Sequence, residues 1–270
     1  MNKNKLNEVS KKVRTNIIEM LYESKSGHPG GSLSCADIMT YLYYEKMNIN
    51  PNNPKYENRD RFVLSKGHAA PALYSVLAEK GFFPKEELKS LRKLGAMLQG
   101  HPDSKKIPGV DVSTGSLGQG VSNAVGMALG LKYKKNPAKV YTILGDGELQ
   151  EGLVWEAAMA AAHYKLDNLV VIVDNNGLQI DGNNEDVMSI NPLDKKFEGF
   201  GFKVITCNGH DFNEIHEAFN AADNTIDKPT VIIAKTIKGK GVSFMENEAG
   251  WHGQAPNKEQ KEQALKDINS

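Results

Sequence analysis

Apolar residues recur along the chain in two rhythms. Leu6, Val9, Val13, Ile17, Met20 and Leu21 fall three or four positions apart and predict an amphipathic N-terminal helix. Short, β-rich apolar runs predict strands over residues 61–64, 140–144, 169–173, 202–206 and 231–234. The run at 169–173 is apolar on both faces, as a central parallel strand should be. Between the strands, helices are predicted over 36–47 with Ser34 as cap, 71–80 with Pro71 in the first turn, and 84–94 opened by Pro84. Further helices are predicted over 121–133, 151–164 and 213–222, and a polar one is capped near Asn257. Breaker-rich segments at 26–32, 48–58, 100–102, 113–120 and 238–241 read as loops. Strands alternating with helices predict a single domain over residues 1–270, a three-layer α/β/α sandwich with a mostly parallel sheet.

One stretch organises the rest, residues 144–177. A buried strand ends at Gly145-Asp146-Gly147, where two glycines permit tight turning and let a ligand approach the backbone. A helix follows, with Leu153, Trp155, Ala158, Met159 and Ala162 as its apolar contacts, and then a second strand ending in Asp174-Asn175-Asn176. Asp146 and Asn176 therefore stand just beyond the carboxyl ends of two strands joined by one helix, where open α/β sheets bind ligands. A carboxylate and an amide oxygen are hard ligands suited to Mg²⁺, which takes one or two protein groups and leaves its other positions to phosphate and water. By residue type alone, the same stretch also reads as a plain crossover with a glycine turn.

Composition narrows the function classes. Lys plus Arg equals Asp plus Glu at 33 each, so no strongly charged partner such as nucleic acid is indicated. No apolar run approaches a membrane span, and the polar first residues lack a signal-peptide core, so a cytoplasmic, soluble protein is expected. Cys35 and Cys207 have neither metal nor redox spacing.

His28, His68, His101 and His252 stand beside glycine in loops. Converging on one pocket, they would suit a sugar phosphate, whose hydroxyls need hydrogen bonding and proton transfer. Taken one at a time, each also reads as an exposed loop histidine, and none has a structural zinc spacing. Lys66 and Lys238, also beside glycine, read either as phosphate contacts or as solvated side chains. His163 reads as packing or capping, His210 as a turn before a helix, and Trp155 and Trp251 as core or interface anchors.

Gly145-Asp146-Gly147 followed by Asn175-Asn176 resembles the thiamine diphosphate fingerprint. With Ser26-Gly27-His28-Pro29-Gly30, Lys66-Gly67-His68-Ala69, Gly100-His101-Pro102 and Trp251-His252-Gly253, the chain from Ser26 to Pro256 resembles the N-terminal, diphosphate-binding part of a transketolase. The resemblance implies thiamine diphosphate and Mg²⁺, or another divalent cation such as Ca²⁺. Asp146, Asn176 and the backbone carbonyl of Leu178 would hold the metal. His68, Gly145, Gly147, Lys238 and His252 would face the diphosphate, and Gly115-Ser116-Leu117 would hold the aminopyrimidine by backbone contacts. The family more often has proline where Ser116 stands, which leaves a backbone role intact. His28, His101 and His252 would bind the substrate and serve catalysis. Glu151 falls where the family has a helix carboxylate linked to the cofactor-activating glutamate, and by position alone it reads as a first-turn acid.

That activating glutamate, and the substrate's phosphate-binding arginines, lie in a second domain of the family that this sequence does not contain. The resemblance thus implies the N-terminal subunit of a split transketolase, moving a two-carbon ketol unit from a ketose phosphate to an aldose phosphate. A C-terminal subunit with a pyrimidine-type domain would complete the site, with two copies of each chain. Three alternatives stay open: a 1-deoxyxylulose-phosphate synthase or 2-oxo-acid dehydrogenase component, a transketolase for an unusual sugar, and a non-catalytic cofactor-binding subunit.

Overall fold

A computed structural model describes residues 1–270. Helix α1 (Lys3–Ser24) leads into α2 (Pro29–Ser34) and α3 (Ala36–Tyr41), which a π turn extends through Lys46. Strand β1 (Arg61–Leu64) precedes α4 (Ala70–Lys80) and α5 (Gln119–Tyr133). Strand β2 (Val140–Gly145), α6 (Gly152–His163) and β3 (Leu169–Asn175) form the central crossover. A small hairpin of β4 (Leu178–Gln179) and β5 (Gly182–Asn183) is followed by α7 (Asn184–Val187) and α8 (Leu193–Gly199). Strand β6 (Lys203–Asn208), α9 (Phe212–Asp223), β7 (Thr230–Lys235) and α10 (Lys258–Asn269) complete the chain.

The main sheet is parallel throughout, in the order β1-β2-β3-β7-β6. Its strands alternate between two cores because successive side chains point to opposite faces. Tyr141, Ile143, Val170, Ile172 and Ile232 join one core with α1, α3, α4, α9 and α10. Val140, Leu144, Val171, Val173 and Val231 join the other with α5, α6 and α8. This is the expected three-layer sandwich, with helices covering both faces.

The register aligns the strand ends. Gly145 pairs with Asp174, and Asn175 pairs with Lys235, so β2, β3 and β7 finish at nearly one level. Ser65, Asp146, Asn176 and Thr236 each follow directly on a strand and together form one rim.

Three local expectations change. The segment expected as a loop at 26–32 contains α2, started by Pro29, whose missing N–H costs nothing at a helix start. Tertiary bonds compensate its glycines: Gly239 N donates to Gly30 O at 3.0 Å, and Lys66 Nζ donates to Gly31 O at 2.9 Å. Ser34 does not cap α3, since Cys35 holds that position and the Ser34 hydroxyl donates to Asp174 instead. The helix expected over 84–94 is a 3₁₀ segment, Lys85–Ser90. Ser90 Oγ donates back to Glu87 O at 2.7 Å, and the backbone then turns to a positive φ at Arg92, leaving Leu94 exposed.

A buried ion pair fixes α1 against α3. Arg14 donates to both Asp37 oxygens, at 2.8 and 2.6 Å, and its Nε donates to Lys240 O at 3.0 Å. Burial pushes the Asp37 carboxyl up, but Arg14 and His210 beside it hold it well below the usual carboxylate range. His210 Nε2 accepts from Ile237 N at 2.9 Å, which makes Nδ1 the donor to Asp37, at 2.8 Å. His210 therefore does more than mark a turn; it couples α3 to the loop after β7. Asp37→Ala would leave Arg14 buried without its counter-ion and cost about 3–5 kcal/mol. Urea unfolding of the variant measures this, and a parental midpoint would contradict the ion pair's role.

Candidate functional site

The residues at the strand ends enclose one cleft. Asp146, at the first position after β2, has its carboxylate oriented by two backbone donors, Gly147 N at 2.8 Å and Gly177 N at 2.5 Å. Asn176 follows β3, and its side-chain oxygen accepts from Leu178 N at 3.1 Å, curling the chain so that the Leu178 carbonyl lines the same cleft. A carboxylate, an amide oxygen and a backbone carbonyl are the donor types that a small hard cation takes alongside phosphate and water.

Basic groups adjoin these oxygens. Lys238 Nζ lies 3.0 Å from His252 Nδ1 and 3.3 Å from Leu178 O. The imidazoles of His28, His68 and His252 stand together, with ring centroids 5.2–5.4 Å apart. Gly31 permits this packing, since a Cβ there would lie 3.2 Å from His68 Nε2. Gly67 serves likewise, because its Cβ would lie 2.8 Å from Gly115 N. His101 packs over the same loop, its ring 3.2 Å from where a Gly115 Cβ would be.

Charge is finely opposed across the cleft. Burial, with Asp174 nearby, pushes the Asp146 carboxyl up to about 6. Burial, with the charge of Lys66, pulls Lys238 down to about 8. Burial and neighbouring cations lower His28 to about 4 and His252 to about 3. A metal cation would relieve the carboxylate side and an anion the lysine side, so a metal-bridged diphosphate fits both. The His28 Nδ1 atom is buried without any partner in the protein, as expected of a group kept for a ligand.

His68, Gly115, Leu117, Gly145, Asp146, Gly147, Glu151, Asn176, Leu178, Lys238 and His252 all line this cleft. His28 adjoins it through its ring contacts and His101 through the Gly115 loop, whereas the Ser116 side chain faces solvent. Glu151 occupies the N-cap of α6 at the rim, exposed and making no side-chain cap bond. Lys66 is not solvated: it is 1% exposed and paired with Asp174. His163 is exposed at the end of α6, and Trp155 packs on Phe197 and Phe200.

Two contributors escaped the sequence reading. Glu148, directly after Gly147, is buried and accepts from Ser65 Oγ, Gly118 N (2.9 Å) and Gly145 N (3.1 Å). It ties three cleft loops together, and an acid just inside a glycine turn was the available signal. Ile180, at the hairpin tip, lines the cleft while 67% exposed. No periodicity marks a residue of that kind.

The family described as "Transketolase, thiamine diphosphate binding domain" matches residues 6–268. The chain belongs to the transketolase family. It is 45% identical to an apulose-4-phosphate transketolase subunit of Phocaeicola vulgatus over 260 residues, 96% of this chain and 92% of that one. It is 43% identical to 6-deoxy-6-sulfo-D-fructose transketolase subunit SqwG of a Clostridium species, covering 95% and 93% of the two chains. Against Homo sapiens transketolase it is 44% identical over 98% of its own length and 42% of the human chain. The solved Campylobacter jejuni transketolase superposes with a TM-score of 0.94 at 38% identity, covering all of this chain and 43% of that one. The transketolase-family chain thus spans the length of the named subunits and less than half of the long transketolases.

The depressed imidazoles make stability depend on pH. With folded-state values near 4 and 3 against an ordinary 6.5, the unfolded chain binds more protons across that interval. Stability therefore falls as the pH drops below 6.5. The thermal midpoint should decline between about pH 7 and pH 5. A His28→Gln, His252→Gln double variant should decline less, and an equal decline would show that these groups are not responsible.

Proposed function

We propose that this chain is the diphosphate-binding subunit of a split transketolase that takes thiamine diphosphate and Mg²⁺, or another divalent cation such as Ca²⁺. The observation that carries this reading is the cleft itself, where Asp146, Asn176 and Leu178 O face Lys238 and a cluster of uncharged histidines. Thiamine diphosphate, when bound, supplies the carbon nucleophile for ketol transfer. Asp146, Asn176 and the Leu178 carbonyl would hold the metal, Lys238, His68 and His252 would meet the diphosphate, and the backbone of 115–117 would meet the aminopyrimidine. His28, His101 and His252, uncharged near neutral pH, would accept or donate hydrogen bonds to the ketose hydroxyls and move protons at those oxygens. Glu151, at the open rim, would meet the activating glutamate of a second chain.

Two observations favour a partner. Relatives that this chain spans almost fully are themselves named as subunits. The outward side of α5 and α6 also exposes Tyr133 (88%), Met159 (62%) and Tyr164, alongside Gly126 and Gly130, where an added Cβ would meet nothing. Exposed apolar residues of this kind, although flanked by Lys134, Lys135 and Lys165, support an interface there. The occupant we propose is a pyrimidine-type transketolase subunit, with two copies of each chain, working in the cytoplasm. No helix is long and apolar enough to cross a membrane. The names of the relatives favour a sugar phosphate or sulfo-sugar as the ketose.

Alone, the chain should bind thiamine diphosphate weakly and transfer no ketol group; mixed with the partner it should do both. Robust transfer by the isolated chain, with contaminating enzyme excluded, would overturn the split reading. In the assembled enzyme, Asp146→Ala should abolish Mg²⁺-dependent cofactor binding by calorimetry while circular dichroism stays unchanged. His28→Ala should lower turnover with little change in cofactor affinity, and His68→Ala should weaken the cofactor. Equal cofactor losses in the two histidine variants would show their roles misassigned.

A further inference from the structure

Arg14 pairs with Asp37, Arg59 with Asp111, and Arg61 donates to Glu57 O at 3.0 Å. Arg92 makes no side-chain hydrogen bond or ion pair, although it is half-buried. Its surroundings explain why it is held there. A Cβ on Gly100 would lie 2.8 Å from Arg92 Cζ, and one on Gly27 would lie 4.0 Å from Arg92 Nε. Gly100 precedes His101 and Gly27 precedes His28, so the guanidinium packs on the His101 loop and its Nε reaches the neighbourhood of the His28 loop.

The chain accepts strain to keep it there. Arg92 has φ of 62°, in the left-handed region that a side chain disfavours by roughly 1–2 kcal/mol. A turn enforces the conformation: Arg92 N donates to Leu98 O at 2.8 Å, Gln99 Nε2 to Ala96 O at 2.9 Å, and Tyr74 OH to Gln99 O at 2.9 Å.

We propose that Arg92 is a positioning residue for the ketose end of the site, wedged between the loops of His28 and His101 and fixing their separation and electrostatic surroundings. This rests on the reading of those two histidines as ketose-binding groups. The charged and titratable neighbours of His28 are Arg92, His101, Lys238, Lys66, His68 and His252. Arg92 acts on His101, and Tyr74 lies within reach of both Arg92 and Asp103. Burial first, and Arg92 next, lower both imidazoles. An uncharged imidazole accepts at one nitrogen while donating at the other, which suits the hydroxyl-rich end of a ketose. A protonated one only donates.

The test is a histidine titration by NMR on the 270-residue chain without substrate, with resonances assigned through His28→Gln and His101→Gln. Arg92→Met should raise the midpoints of both histidines by on the order of half a pH unit, and Arg92→Lys should leave them near the parent values. Thermal unfolding confirms that each variant is folded. Unmoved midpoints in Arg92→Met, or the same rise in both variants, overturn the proposal. With the partner present, Arg92→Met should raise the KM for the ketose donor severalfold and leave thiamine diphosphate affinity unchanged. Weakened cofactor binding instead would place Arg92 outside the ketose end. The titration is decided without any transketolase activity, so its failure is distinguishable from failure of the functional reading.

Discussion

Four segments at the sheet's carboxyl end are held together by one buried ion pair, Lys66 with Asp174. Both side chains are almost completely enclosed. Asp174 also accepts from the Ser34 and Thr236 hydroxyls, and Lys66 also donates to Gly31 O at 2.9 Å. The pair thus joins the loop after β1, the end of β3, the residue after β7 and helix α2. Taking two charges out of water costs several kcal/mol each, and satisfying the remaining lone pairs and protons is what makes such a pair tolerable. The stability gained over an apolar substitute is small. What the pair gives is a fixed geometry for four segments that otherwise have little reason to meet, two of which carry the glycines and histidines of the cleft.

The same pair sets the field of the site. Lys66 adds to the burial that depresses Lys238, and Asp174 adds to the burial that raises Asp146. Positive and negative demand therefore stand side by side in one cleft, with Lys238 Nζ 3.3 Å from Leu178 O. That juxtaposition is what a metal-bridged diphosphate satisfies in a single binding event, and a lone anion or a lone cation satisfies only half of it. The histidines stay uncharged first because they are buried, and next because positive groups crowd around them.

Much of this was legible in the sequence, and the reasons for the rest are local. Strands buried on both faces, such as β2, β3 and β7, announce themselves as unbroken apolar runs, and the half-exposed edge strand β6 showed through its short β-rich stretch Val204-Ile205-Thr206. Asp146 and Asn176 were visible because chemistry-bearing residues stood just after such runs. Helix α2 was not, because a Pro-Gly-Gly segment has poor helix propensity and is held by bonds from residues far away in sequence, Lys66 and Gly239. Lys66 itself looked solvated because a glycine-flanked lysine carries no mark of its buried partner. The signal lay with Asp174, a carboxylate at the end of a strand apolar on both faces, which must find a cation. Arg92 was hidden most completely, since its role comes from a backbone conformation and from two glycines that neighbour other residues.

The way the chain divides its buried surface bears on why a transketolase-family site can be split between polypeptides. Both cores are filled from within this chain, one by α1, α3, α4, α9 and α10 and the other by α5, α6 and α8. Neither core needs a second domain to close it. Among the apolar surfaces left open are the outer face of α5 and α6 and the cleft rim at Ile180, beside Glu151. In a single long chain, a linker would hold a second domain close at an effective concentration of roughly millimolar. On the split reading proposed above, a separate subunit would have no such help, and the open face would have to supply the affinity. The consequence falls on the outward residues of two helices, Gly126, Gly130, Tyr133 and Met159, and leaves Asp146, Asn176 and the histidines free to keep the geometry that their own chain already imposes.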